Sequence, residues 1–157
     1  MASPTGRFAD LRVRALVLLG DHRAALDDLG ELRREHAPDD WVDLTEAWCR
    51  KRTDDLRGAI RCMEQLLARS PRSDIGHFNL GCYLALAGDV DRAVDEVTLA
   101  CGMNAEFRDF ARDEPDLDRL RKDPRFRSLL RAAAPTPADD ADDGEPLDGD
   151  DDDPDRN

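Results

Sequence analysis

The sequence predicts an all-α fold, an array of helix pairs closed by further helices, and three observations carry that reading. The first is that 74–104 reads as one complete helix-turn-helix unit. Small or apolar side chains at His77, Leu80, Gly81 and Leu84 share one helical face, and Gly81 lets a second helix approach closely. Gly88 then breaks the helix, Asp89 can cap the next, and Val90, Ala93, Val97 and Ala100 return at three- and four-residue steps. The second observation is a recurrence at one fixed interval, from Ala25 to Ala59 and again from Ala59 to Ala93. Leu26, Ile60 and Val94 share that register, as do Leu29, Met63 and Val97, then Leu32, Leu66 and Ala100, with Asp21, Asp55 and Asp89 ahead of them. The third is a helix-punctuated run after residue 105 that lacks the repeat spacing.

In chain order, 1–6 is a short flexible lead, and helix pairs are expected over 7–39, 40–73 and 74–105. Helix one runs to about Leu19, Gly20 breaks it, and helix two runs from Asp21 to about His36. Helix three, about 40–50, sets Trp41 and Trp48 two turns apart on one face, where core is the favoured environment for both. Helix four spans 54–69, and Ser73 or Asp74 caps helix five. A capping segment, 106–133, follows: a short helix with Phe107 and Phe110 stops before Pro115, and Leu117 and Leu120 add a buried turn. Asp123-Pro124 then starts a helix whose apolar stripe is Phe126, Leu129 and Leu130. From Ala134 the composition turns to Pro, Ala, Asp and Gly with a single leucine, Leu147, too little apolar area to offset the entropy of ordering it, so 134–157 is expected to be a disordered acidic tail.

A 34-residue period of paired helices resembles the tetratricopeptide repeat, W-x2-L-G-x2-Y followed by A-x3-F and a closing proline. In 74–105 His77 stands at the tryptophan, Leu80 and Gly81 at the Leu-Gly pair, Leu84 at the tyrosine, with Ala93 and Val97 in register and Ala105 in place of proline. In the middle unit Trp41, Leu44, Thr45 and Trp48 match the first helix, with two extra residues before Ala59 absorbed by the turn Lys51–Thr53. The first unit registers either on Phe8, Leu11 and Ala15 or one residue later. Pro38 and Pro71 stand near the ends of the first two units. The segment after residue 105 is similar to those that close groups of such repeats. The resemblance implies a right-handed superhelix of about three repeats.

Length and charge set the other bounds. A chain of 157 residues fits one domain, of which the repeats and cap take about 125 residues, enough for a continuous core. The net charge of −13 is concentrated: 139–157 hold 11 acids and one arginine, or −10, leaving 25 acids against 22 bases, or −3, elsewhere. The basic residues spread over all the helices, so no nucleic-acid stripe is expected. The longest apolar run, Ala15–Leu19, is far short of a bilayer span, and a cytoplasmic, monomeric protein is the expectation. Cys49, Cys62, Cys82 and Cys101 lack a close C-x2-C pair and read as small core residues, not zinc ligands or disulfides.

No catalytic constellation, cofactor motif or metal site is legible. His22, His36 and His77 fall in a turn, at a helix end and at a packing position, without an H-E-x2-H pair. Adjacent carboxylates such as Asp27-Asp28 mark a solvated face or cap, and DGDDDD lacks the spaced glycine and glutamate of a calcium loop. The chain is therefore expected to be non-enzymatic and to bind a protein or peptide. The resemblance implies that the first helix of each pair lines a concave groove, with Asp43, Glu46 and Arg50 on helix three and Phe78, Asn79 and Cys82 on helix five facing a partner. Arg7 and Arg14 join them if the first unit takes the later register. The family's clamp for chaperone C-termini needs lysines and asparagines, of which Asn79 alone fits, while Asp10, Asp43 and Glu46 would repel an acidic tail. A second expectation is a chaperone or assembly factor for a secreted protein, on size, charge and repeat number.

Overall fold

The computed structural model describes residues 4–35, 37 and 39–132. Among them are eight α-helices and one 3-10 segment, and no strand: α1 (Pro4–Leu18), α2 (His22–Glu35), α3 (Asp40–Arg52), α4 (Leu56–Arg69), α5 (Asp74–Ala87), α6 (Val90–Met103), α7 (Glu106–Asp113), the 3-10 segment Pro115–Lys122 and α8 (Pro124–Arg131). From α1 to α7 each helix packs on the one before it, as short turns between helices dictate. Helix α1 begins at Pro4, inside the expected lead. His36, Pro38 and the acidic tail lie outside the described residues.

The repeat period is written into the backbone. Left-handed φ angles occur at Gly20 (77°), Asp54 (64°) and Gly88 (88°), each one full period from the next. The residue after each is an aspartate that accepts a backbone N–H of the following helix: Asp21 from Ala24, Asp55 from Gly58 and Asp89 from Arg92. Asp54 shows that the turn needs the left-handed geometry more than it needs glycine, since aspartate tolerates that region better than most side chains. Each helix pair is thus stopped and restarted by the same two-residue device.

The packing corrects the expected register of α3. Gly81 of α5 sits so close to α6 that an added Cβ would stand 2.5 Å from Val97 Cγ2 and 3.1 Å from the Ala93 carbonyl oxygen. One period earlier the residue is Ala47, fully buried in one core with Ala59 and Met63 of α4. Thr45, expected at this contact, is only partly buried. Two residues turn a helix by about 200°, so the shift presents the opposite face. Helix α3 continues to Arg52, and no extra residues need absorbing. Trp48 consequently leaves the core and is 38% exposed, while Trp41 is half-buried against the cluster of Val13, Ala25 and Leu29. The first unit obeys the same spacing, because Val13, one period before Ala47, is fully buried with Ala25 and Leu29 while Phe8 and Leu11 are exposed. That is the later of the two registers.

Beyond α6 the chain folds back as a cap. Phe107 of α7 stacks on Phe78 of α5 with ring centroids 4.8 Å apart, and Leu117, Leu120 and Phe126 are fully buried in the main core. Phe110, on the same helix as Phe107, is 59% exposed. Asp123 accepts the Arg125 N–H at 2.8 Å, with Pro124 in the first turn of α8, as its Asp-Pro pair predicts. Arg112 and Arg108 of α7 donate to the carbonyl oxygens of Leu130 (2.5 Å) and Ala132 (3.2 Å), holding the C-terminal end of α8.

Candidate functional site

Helix α3 carries an internal ion network where α5 carries apolar contacts. Asp43 is fully buried, and its two oxygens are taken by Arg33 of α2 at 2.5 Å and by Arg69 of α4. Glu46 accepts from Arg33 at 2.5 Å and from Arg50 at 2.8 Å, and Arg50 in turn reaches Asp55, the cap of α4, at 2.6 Å. Burial alone would raise the Glu46 pKa, but hydrogen bonds from Arg50 and Arg33 outweigh it and hold the carboxyl below its ordinary range. For Arg33 burial works downwards, and bonds to Asp43 and Glu46 leave its pKa raised. Asp55 is held low by the Gly58 N–H first and by Arg50 second. Each carboxylate oxygen named has a guanidinium partner.

The six residues expected to face a partner therefore separate. Asp43, Glu46 and Arg50 are brought together, but in contact with α2 and the start of α4 instead of open solvent. Phe78 lies under Phe107, and Cys82 is buried on α5, the helix along which the 3-10 segment packs. Burial, then the carboxylates of Glu114 and Asp116, push the Cys82 thiol pKa up. Asn79 stays half-buried at the edge of an open concavity.

Apart from Asn79 and Arg14, that concavity is built from residues no expectation singled out as a surface. Moving Asp43, Glu46 and Arg50 back by the two-residue correction gives Trp41, Leu44 and Trp48, and these lie one period before Ile75, Phe78 and Cys82. Two adjoining hollows of about 300 and 320 Å³ cover this face of α1, α3 and α5, and Val17 and Thr45 line both. Trp48 and Ile75 line one, Trp41 and Leu18 the other, and Leu18 is 87% exposed. Guanidiniums cover the aromatic rings: Arg14 stands 4.7 Å from the Trp41 ring centroid and Arg52 5.9 Å from that of Trp48. The His22 ring meets Trp48 edge-on at 4.9 Å. The shared period of the helices could have found this face; the tryptophans obscured it by matching the motif two residues out of step.

A larger hollow, about 880 Å³, follows the seam between α6 and α8, lined by Val94, Thr98, Leu99 and Leu129 among others. It is the joint of the cap and lacks aromatic side chains.

Burial raises the Cys49 and Cys62 thiols to about 11 and Cys101 upward, so the four free cysteines are not poised as nucleophiles. His77 is buried, with Nδ1 2.6 Å from Glu96 and Nε2 3.0 Å from the Pro71 carbonyl oxygen, a structural tie between α5, α6 and the preceding turn. Among the described residues no group of three or more His, Cys, Asp or Glu side chains is placed to hold a metal ion, and no helix is long and apolar enough to cross a membrane. The chain matches no protein-family model and no curated protein.

Proposed function

We propose that this chain is a non-enzymatic protein-interaction module, a right-handed superhelix of three tetratricopeptide-type helix pairs that receives a peptide or helix of another protein on its concave face. The observation that carries the reading is the Trp41–Trp48 face. Two tryptophans two turns apart, one half-buried and one exposed, sit beside an exposed leucine on the face that the period assigns to the groove. Trp and Arg are the side chains most often found where a few contacts supply most of a binding energy. Trp41 packs in part against the core of the first pair, Trp48 stands 38% exposed, and an exposed apolar patch marks an interaction surface.

A photo-crosslinking side chain at Leu18, on this face, and another at Leu99, on the α6–α8 seam, test the reading. A partner crosslinked from Leu18 but not from Leu99, and lost on adding Trp48→Ala, is the expected result. Capture from Leu99 alone would move the site to the cap, and identical capture from both positions would refute a defined groove.

A further inference from the structure

Resting on that reading, we infer that the open part of the groove is selective for an acidic segment that presents an aromatic or large apolar side chain between carboxylates. The adjoining part of the same groove shows the chemistry it accepts. There Phe107 of α7 stacks on Phe78 of α5, with ring centroids 4.8 Å apart. The 3-10 segment that follows sends Asp116 to the Lys51 ammonium of α3. One end of the groove thus takes an aromatic ring on α5 and a carboxylate on the ammonium of α3.

The open end continues the pattern. Leu44 and Trp48 stand where Phe78 and Cys82 stand one period later, and the cap covers only the α5 members. Arg52, next to Lys51, lies over Trp48, and Arg14 lies over Trp41. Among the described residues neither guanidinium has a carboxylate within salt-bridge distance, whereas Arg33, Arg50 and Arg69 are each shared by two. Asp10, one turn before Arg14, is the opposing charge on α1, and the two guanidiniums outnumber it. Asp43 and Glu46, which would repel an acidic ligand if they faced the groove, point inward and are neutralised there. Trp41 and Trp48 are about 10 Å apart along α3 at about 1.5 Å per residue, so an extended ligand meets both arginines with carboxylates three or four residues apart.

The chain has two tryptophans, both on this face, so its own emission reports occupancy in the full-length protein. Two capped probe peptides suffice, one with phenylalanine between glutamates spaced four residues apart, the other with glutamines in their place. The acidic probe is expected to shift tryptophan emission saturably, to bind at least fivefold more tightly than the glutamine probe at low salt, and to lose that preference as salt rises. The Arg14→Gln/Arg52→Gln chain, which alters no residue of the internal network, should bind both probes alike. Equal binding of the two probes to the native chain would overturn the acidic selectivity while leaving a peptide groove in place; no saturable response to either, together with no capture from Leu18, would sink the groove itself. Emission that changes on dilution without probe would hand the face to a second copy of this chain. A tenfold gain in probe affinity in full-length Glu145→Gln/Leu147→Ser/Asp148→Asn would hand it to the chain's own C-terminal segment. Either result overturns the assignment to a separate partner.

Discussion

Replacing Asp43 with alanine tests the internal network at its most buried point. Asp43 has no exposed surface and holds one arginine from each neighbouring helix. Two charge-assisted hydrogen bonds at about 1.5–3 kcal/mol each would set the loss at about 3–6 kcal/mol. The arginines moderate it, because Arg33 and Arg69 side chains are 33% and 32% exposed and keep second partners in Glu46 and Asp40. That places the expected cost near the lower bound, about 3 kcal/mol, in line with the loss on removing one member of a buried pair. At about 2–4 °C per kcal/mol for a chain of this size, the melting temperature should fall by about 10 °C. Thermal and urea unfolding at neutral pH, followed by circular dichroism, measure it, with Asp40→Ala as the half-exposed control expected to cost under about 1 kcal/mol. An Asp43→Ala loss below about 1 kcal/mol, or Asp43→Ala and Arg69→Ala effects that simply add, would show that Asp43 does not hold α2, α3 and α4 together.

Leucine substitutions read the register of α3 directly. Ala47→Leu should overpack the contact with Ala59 and Met63 and cost about 1–3 kcal/mol, whereas Thr45→Leu, on the open face, should change the stability measured in urea by under about 0.5 kcal/mol; the reverse order would restore the motif-matched register. Stability should also fall on the acid side. Glu46 and Asp55 have folded pKa values below their ordinary 4.5 and 3.8, so the stability they contribute is present above those ordinary values and is lost as pH drops through the lower folded ones. Urea midpoints should be flat from about pH 6 to 8 and decline below about pH 4.5, with Glu46→Gln less stable at pH 7 and less steep in acid. An unchanged acid slope in Glu46→Gln would remove Glu46 from the linkage.

The helical class, the turns at Gly20 and Gly88 and the second helix of each pair were legible because they rest on local chemistry. Asp21, Asp55 and Asp89 are caps whatever surrounds them, and the apolar positions of α2, α4 and α6 repeat at fixed spacing. The first helices were harder, because their inward residues are not all apolar. Matching Trp41 and Trp48 to large aromatic positions puts the greasiest side chains inside, whereas the arginines of α2 and α4, distant in sequence, hold Asp43 and Glu46 there instead. The step along the chain from Val13 to Ala25 equals that from Ala47 to Ala59 and that from Gly81 to Ala93, and this constant offset is the sequence signal that identifies the inward face. The residues of the Trp41–Trp48 face could not be placed without it, and the covering of Phe78 and Cys82 depends on how the cap folds back, which no local pattern states.

The charged interior of the middle pair acts on the choice between two packings more than on raw stability. One period on, Asp43, Glu46, Ala47 and Arg50 become His77, Leu80, Gly81 and Leu84. An apolar set would pack there at least as well, since buried ion pairs seldom outdo well-fitted hydrophobic side chains of similar size. The same helix offers a rival apolar face in Trp41, Leu44 and Trp48, and a slip of two residues would bury it. That slip would leave Arg33 and Arg69 without Asp43 and Arg50 without a buried Glu46, and would place two carboxylates in the groove opposite Asp10. Charged residues that are satisfied in one register and stranded in the other select against the alternative. The tryptophans are thereby kept outward, so mutations that empty the network should degrade ligand binding through α3 before they unfold the chain.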